Sequence, residues 1–138
     1  MIRSIKAKKR IPIKKIIDLF EFEIKNYKLK YSWSQLQIND DSNRKKLIDI
    51  ISSIIGIQPH KIQNVILHCT SESINTHADC MSKMVYLIPL KYSKKTMFYD
   101  EDREIYFKPG YVYSFNDYIR HGLENEHGAN VMILSVDT

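Results

Sequence analysis

Asn75-Thr76-His77-Ala78-Asp79-Cys80 is the stretch on which the rest of the chain turns, read together with His121 further along. His77 and Asp79 stand two apart, so on an extended strand or at its exit both side chains fall on one side. Imidazole and carboxylate together suit a divalent transition metal, Fe(II) among them. A second imidazole completes a two-histidine, one-carboxylate face with positions left open. His121 lies in Phe115-Asn116-Asp117-Tyr118-Ile119-Arg120-His121-Gly122-Leu123-Glu124-Asn125, where a turn leads it into a strand facing that of His77. The bland alternative is a loop in which Asp79 merely caps backbone amides. Convergence of three ligands from two strands favours the metal. Asn116 and Asn125 read as turn and supporting groups rather than ligands.

Outward from this stretch the pattern is that of strands. Segments at 62–69, 84–91, 96–99, 104–107, 111–115, 119–124 and 131–136 are short, rich in β-branched and aromatic residues, and separated by turns. Residues 99–104 form an acidic hairpin tip, and Pro109-Gly110 marks a turn. Such spacing predicts a jelly roll or barrel.

The first part of the chain has a different period. Pro12 opens a helical pattern in which Ile13, Ile16, Ile17, Phe20, Ile24 and Tyr27 recur at three- and four-residue steps. Residues 31–38 read as a strand. A second helix is bracketed by Ser42 as N-cap and Gly56 as stop, with Leu47, Ile50, Ile51 and Ile54 on one face. Both apolar stripes are expected to cover a sheet of the β core.

With 138 residues the chain makes one domain: a basic arm over 1–11, a helical cover plus edge strand over 12–60, and the core over 61–138. No apolar run reaches the roughly 20 residues that span a bilayer, so no membrane partner is expected. Two cysteines and no secretory segment point to a reducing, cytoplasmic setting. The net charge is +5, and residues 1–15 carry seven Lys or Arg and no acid. That arm could meet nucleic acid through counterion release, although a solvated terminus is the commoner role of such a segment.

The text from about Lys61 to Asp137 resembles the double-stranded β-helix of the Fe(II)/2-oxoglutarate-dependent oxygenases, near the aspartyl/asparaginyl β-hydroxylase-like and small phage hydroxylase branches. The matching features are the strand at 65–69, His77-x-Asp79, the apolar strand at 84–90, Phe107-Lys108-Pro109-Gly110, His121 and the closing strand at 131–137. The resemblance implies a mainly β fold with N-terminal helices, jelly roll and cupin-like. It implies iron on His77, Asp79 and His121, 2-oxoglutarate as co-substrate, and hydroxylation of a substrate such as a protein side chain.

This chain departs from the family at one place. The family's usual Arg, about ten positions past the second histidine, is absent from Ala129-Asn130-Val131. By the same resemblance Lys91 is expected to meet the far carboxylate of 2-oxoglutarate, with Tyr86, Tyr113 and Asn130 as neutral helpers. Lys94, Lys95 and Arg120 compete, and Arg120 faces away if it shares a strand with His121. Two other readings stand beside the oxygenase. One is a non-catalytic cupin-like module that keeps the triad, and the other is a cupin-type metal enzyme without 2-oxoglutarate. A zinc site from His68, Cys69, His77 and Cys80 is disfavoured, because neighbouring residues point to opposite faces of a strand. His60 and His127 read as surface residues.

Overall fold

The computed structural model describes residues 1–30, 32–79 and 83–138. Its strands carry apolar residues on both parities, a pattern that requires cover on both faces. In β10 (Val131–Asp137), Val131 and Ile133 face one core while Leu134 and Val136 face another. The remaining strands are β1 (Arg3–Lys6), β2 (Ser34–Leu36), β3 (Asn64–Thr70), β4 (Ile74–His77), β5 (Met84–Lys91), β6 (Met97–Asp100), β7 (Glu104–Tyr106), β8 (Tyr111–Asn116) and β9 (His121–Glu124). The helices are α1 (Ile13–Leu19), α2 (Glu21–Tyr27) and α3 (Asp41–Ile55).

All described strand pairs are antiparallel and fall into two sheets. One runs β1-β8-β5-β10-β3-β2 and the other β4-β9-β6-β7. Chain-order neighbours β3 and β4, or β8 and β9, lie in different sheets, so the chain crosses repeatedly between them. This is the jelly roll, or double-stranded β-helix, that the sequence predicts. Among the described residues no helix is long and apolar enough to cross a membrane.

Two apolar layers result. Val85, Leu87, Phe98, Phe107, Phe115, Leu123 and Ile133 fill the space between the sheets. On the outer face of the six-stranded sheet, Leu67, Ile88, Leu134 and Val136 pack against Ile16, Phe20, Leu47, Ile51 and Ile54 of the helices. At about 25 cal/mol per Å² of apolar surface removed from water, this helical cover is a main source of stability.

Several local expectations are corrected. The helical run from Ile13 to Tyr27 is two helices, divided at Phe20, whose backbone N–H bonds the carbonyls of Asp18 and Ile17. The fully buried Phe20 ring anchors this corner, and packing overrides the continuous stripe. Pro12 sits at the N-cap, one place before the expected first helical position. Asp40, not Ser42, caps α3: its Oδ2 accepts the Asn43 N–H at 2.9 Å, leaving Asp41 to begin the helix. Gly56 ends it at φ +73°, as expected. The strand expected at 31–38 is the shorter β2, and Tyr31 lies outside the described residues. Arg3–Lys6 is an edge strand on β8; its polar residues gave no strand signal because only its partner side needs pairing.

Gly122 carries a constraint of its own. Tyr99 crosses over it on the outside of the smaller sheet to hydrogen-bond Thr76 at 2.6 Å. A Cβ at Gly122 would collide with the Tyr99 hydroxyl and press on the Ile74 carbonyl at 3.0 Å. Gly122→Ala is therefore expected to lower the unfolding free energy by about 1–3 kcal/mol, the usual range for an added group in a packed site. Denaturant unfolding measures it, and an unchanged midpoint would contradict the crossing.

Candidate metal centre

A bulge re-aims the first ligand. In β4, Ile74 and His77 both face the space between the sheets although they stand three apart, which strict alternation forbids. The register of β4 on β9 slips between these two residues, pairing Ile74 with Leu123 and His77 with His121. One extra residue restores the inward direction. His77 and His121 thus become direct cross-strand partners, with ring centroids 4.5 Å apart.

Both rings are oriented by backbone. His77 Nδ1 lies 2.8 Å from the Asn75 carbonyl and His121 Nδ1 lies 2.7 Å from that of Ile119. A carbonyl only accepts, so each neutral ring carries its proton on Nδ1 and presents a bare Nε2 lone pair. Asp79 Oδ2 lies 4.0 Å from His121 Nε2, and one donor atom from each of the three residues falls within 4.8 Å of the others. Phe115 and Phe98 flank His121 at 4.7 and 6.1 Å, while Trp33 stands 5.8 Å from His77. Burial among these rings lowers the His121 pKa, against the opposing pull of the Ile119 hydrogen bond. A neutral imidazole is the form a metal needs. The donor set fits one divalent ion, and Asp79 is its exposed member.

Asp79 is tied down by a residue outside the triad. Its N–H donates to the Asp117 carbonyl at 3.0 Å, the Asp117 N–H donates to the Lys83 carbonyl at 3.0 Å, and Asp117 Oδ1 accepts the Lys83 N–H at 2.8 Å. Asp117, buried at the end of β8, clamps the chain on both sides of residues 80–82. The clamp sits four residues before His121, so the same turn positions two ligands. The sequence singled out the Phe115-Asn116-Asp117 text but not this role, because Asp117 acts on backbone groups rather than on a recognisable side-chain partner.

The three ligands open onto a cavity of about 300 Å³ between the sheets. Its walls are apolar at Ile66, Val85, Leu87, Leu123 and Ile133, and polar at Gln35, His68 and Ser135. Asp79, Lys83, Asp117 and Asp137 stand where the ligands do. Lys83 is the single Lys or Arg among the described lining residues, 3.8 Å from Asp137. Burial raises the Asp137 pKa, with Lys83 only partly opposing it.

The expected anchor is not there. Lys91 ends the eight-residue β5, about 20 Å along the strand from Val85 at roughly 3.4 Å per residue. A register slip between Met132 and Ile133 places Lys91 opposite Met132, and it is exposed. Lys91 and Asn130 line a separate small groove with Lys28 and Thr70. Tyr86 points to the helical side. Tyr113 is buried against Phe107, its hydroxyl accepting the Lys108 N–H at 2.8 Å. None of the four lines the cavity. As for zinc, His68 faces the cavity while Cys69 packs under the helices, so the pair is split as alternation requires. Cys80 lies outside the described residues.

With this geometry in view, comparison with known proteins is informative about the fold. No family model matches the chain, and no curated relative does. Among solved structures, it resembles the viral collagen prolyl hydroxylase of Paramecium bursaria Chlorella virus-1 in its 2OG complex, at a TM-score of 0.67 and 14% identity, covering 99% of this chain and 94% of that one. A Trichoplax adhaerens prolyl hydroxylase, bound to a hypoxia inducible factor peptide fragment, gives 0.60 and 11% identity over 99% and 82%. A Pseudomonas putida prolyl-4-hydroxylase gives 0.57 and 9% over 99% and 90%. The chain therefore has the fold of these hydroxylases. All three of these structures are named as prolyl hydroxylases.

Two measurements test the centre. Asp117→Ala is expected to weaken Mn(II) binding about ten- to a hundredfold, the range for groups that orient ligands. Asp117→Asn, whose amide oxygen still accepts the Lys83 N–H, is expected to retain most of the affinity; equal loss in both would refute the clamp. The second concerns His68, whose pKa is lowered to about 4, first by burial and then by His77 and His121. The unfolded chain takes up that proton near 6.5 and the folded chain only near 4. Stability should then fall as pH drops through this window, by at most about 3 kcal/mol, and level off below it. Thermal unfolding between pH 7 and 4 should be flatter for His68→Gln.

Proposed function

We propose that this protein is an Fe(II)- and 2-oxoglutarate-dependent oxygenase, a hydroxylase acting on a protein side chain. The observation that carries the reading is the face of two bare Nε2 atoms and one carboxylate, opening onto a cavity inside this fold. His77, Asp79 and His121 would hold the iron, and the iron with its co-substrate would supply the oxidising chemistry. The chain's own residues perform the rest. Asn75 and Ile119 carbonyls keep the Nδ1 protons in place and so keep the ligand nitrogens free. Phe98, Phe115 and Leu123 exclude water from the inner side of the centre.

Asp79, exposed, lies on the solvent side of the centre, which leaves the cavity open to a large substrate. The structures that share the fold include hydroxylases whose names or bound partners are collagen and a peptide, which supports a peptidyl substrate here.

Wild-type protein is expected to bind one Fe(II) or Mn(II) per chain and to turn 2-oxoglutarate into succinate with Fe(II). Asp79→Ala and His121→Ala should each lower metal affinity by at least roughly tenfold. Metal binding with neither 2-oxoglutarate binding nor succinate would replace this reading by a non-catalytic metal-binding module.

A further inference from the structure

The end of the six-stranded sheet away from the metal centre carries the chain's excess positive charge. Ten of the 21 Lys and Arg, against three of the 16 Asp and Glu, fall within residues 1–30. The start of this segment is held rather than frayed. β1 pairs with β8, the Ala7 N–H donates to the Gly110 carbonyl at 2.8 Å, and the Lys8 N–H donates to that of Ile54 at 2.9 Å. Register then sets the cations in a row. Lys6 lies opposite Tyr111, where β8 begins, with Lys108 in the turn just before it. β5 runs against β8, so Lys91, its last residue, comes to the same end, opposite Met132 of β10. β3 ends there too, at Thr70. From β1 to β3 is four inter-strand steps, about 19 Å at roughly 4.8 Å each.

At the β3 end of this row the chain between α2 and β2 closes a groove of about 40 Å³. Lys28, Lys30 and Lys91 line it with Ser32, Ser71 and Asn130, and among the described residues no carboxylate does. Lys28 bears on its floor: burial raises the pKa of the Cys69 thiol there, and the Lys28 charge opposes the rise. Lys6, Lys28, Lys91 and Lys108 are exposed, and none has an ion-pair partner among the described residues. Like charges left unpaired along one edge attract an anion longer than a single group. The groove admits phosphate oxygens and not a base, since one water alone occupies about 30 Å³ of liquid. Beside it stand Phe22, Tyr27 and Leu29, 62%, 59% and 57% exposed. The two rings meet edge to face, with centroids 6.0 Å apart. Exposed Glu21, Lys25 and Asn26 interrupt them, so they make no continuous apolar face for a bilayer. Separate rings next to a cationic groove suit unstacked bases. An acidic peptide would use the lysines and leave the rings bare.

We propose that this surface docks single-stranded nucleic acid, with phosphates along Lys28, Lys91, Lys108 and Lys6 and bases on Phe22 and Tyr27. The strand is a tether and not the substrate. The metal cavity opens at the opposite ends of β5, β8 and β10, where Asp79, Asp117 and Asp137 repel phosphates. Docking therefore stands apart from the oxygenase reading, and neither depends on the other.

The test is fluorescence anisotropy of the full chain with a labelled oligodeoxythymidine of about 20 nucleotides, longer than the site of one small domain, over a range of KCl concentrations. Wild type should bind, with affinity falling as salt rises. Replacing Lys28 and Lys91 together by Ala should weaken binding and flatten the plot of log affinity against log salt by about 0.7 for each lysine. Phe22→Ala should weaken binding about five- to a hundredfold, the range for one stacked base, and leave the salt slope unchanged. Phe22→Trp should retain it. Lys45→Ala, at an exposed position on α3, should bind as wild type does. All these side chains are exposed, and thermal unfolding of each variant verifies that the fold is kept. No binding by wild type would overturn the proposal, as would a loss in Lys45→Ala equal to that of either groove lysine replaced alone. Equal affinity for a duplex with no effect of Phe22→Ala would overturn the stacking of bases. Binding to phosphatidylserine vesicles in place of the oligonucleotide would assign the surface to a membrane and overturn the proposal outright.

Discussion

The pairing of β4 with β9 is the constraint on which the centre depends. A strand that alternates strictly can present Ile74 or His77 to the interior, not both, and the slip between them resolves the conflict. Ile74 remains in the apolar wall and His77 arrives opposite His121. Every later feature of the centre follows from that alignment. The two carbonyls that hold the Nδ1 protons belong to the residues two before each histidine, so they come with the local backbone shape. The Asp117 clamp then fixes where Asp79 leaves the strand.

The surrounding layers make this alignment affordable in a chain of 138 residues. The six-stranded sheet is apolar on both faces and is sealed on the outside by α1, α2 and α3, which buries Leu134, Val136 and Ile88. Its inner face is then free to carry His68 and Ser135 among Ile66, Leu87 and Ile133. A buried polar chain in an apolar wall is tolerated only when each member has a partner, and Trp33 supplies the first donor from outside the core strands.

Much of this was legible in the sequence. Spacing alone placed His77 and Asp79 on one side, and the strand pattern brought His121 toward them. The jelly roll followed from the same turns. What escaped was whatever depends on register, since a slip of one residue moves a side chain to the other face. Lys91 was expected to point inward, but β5 carries it past a bulge to the far end of the sheet. The division at Phe20 and the cap at Asp40 are tertiary and local choices among near-equal alternatives. His68 was considered only as a zinc ligand. Its hydrogen-bond partners, Trp33 and Ser135, are 35 and 67 residues away, and no short motif links them.

Among the described residues β4 is an edge strand, with β9 on one side and no strand on the other. Edge strands held on one side are the first to open, and this one carries His77, a candidate ligand, at its last residue. An ion shared between His77 and His121 would therefore act as a clip across that edge, and opening the strand would require giving the ion up. The free energy of opening then includes that of the bound metal, about 2.7 kcal/mol at a free concentration one hundred times the dissociation constant. In such a molecule the local order of the sheet edge is set by the metal supply of its surroundings as much as by its own hydrogen bonds.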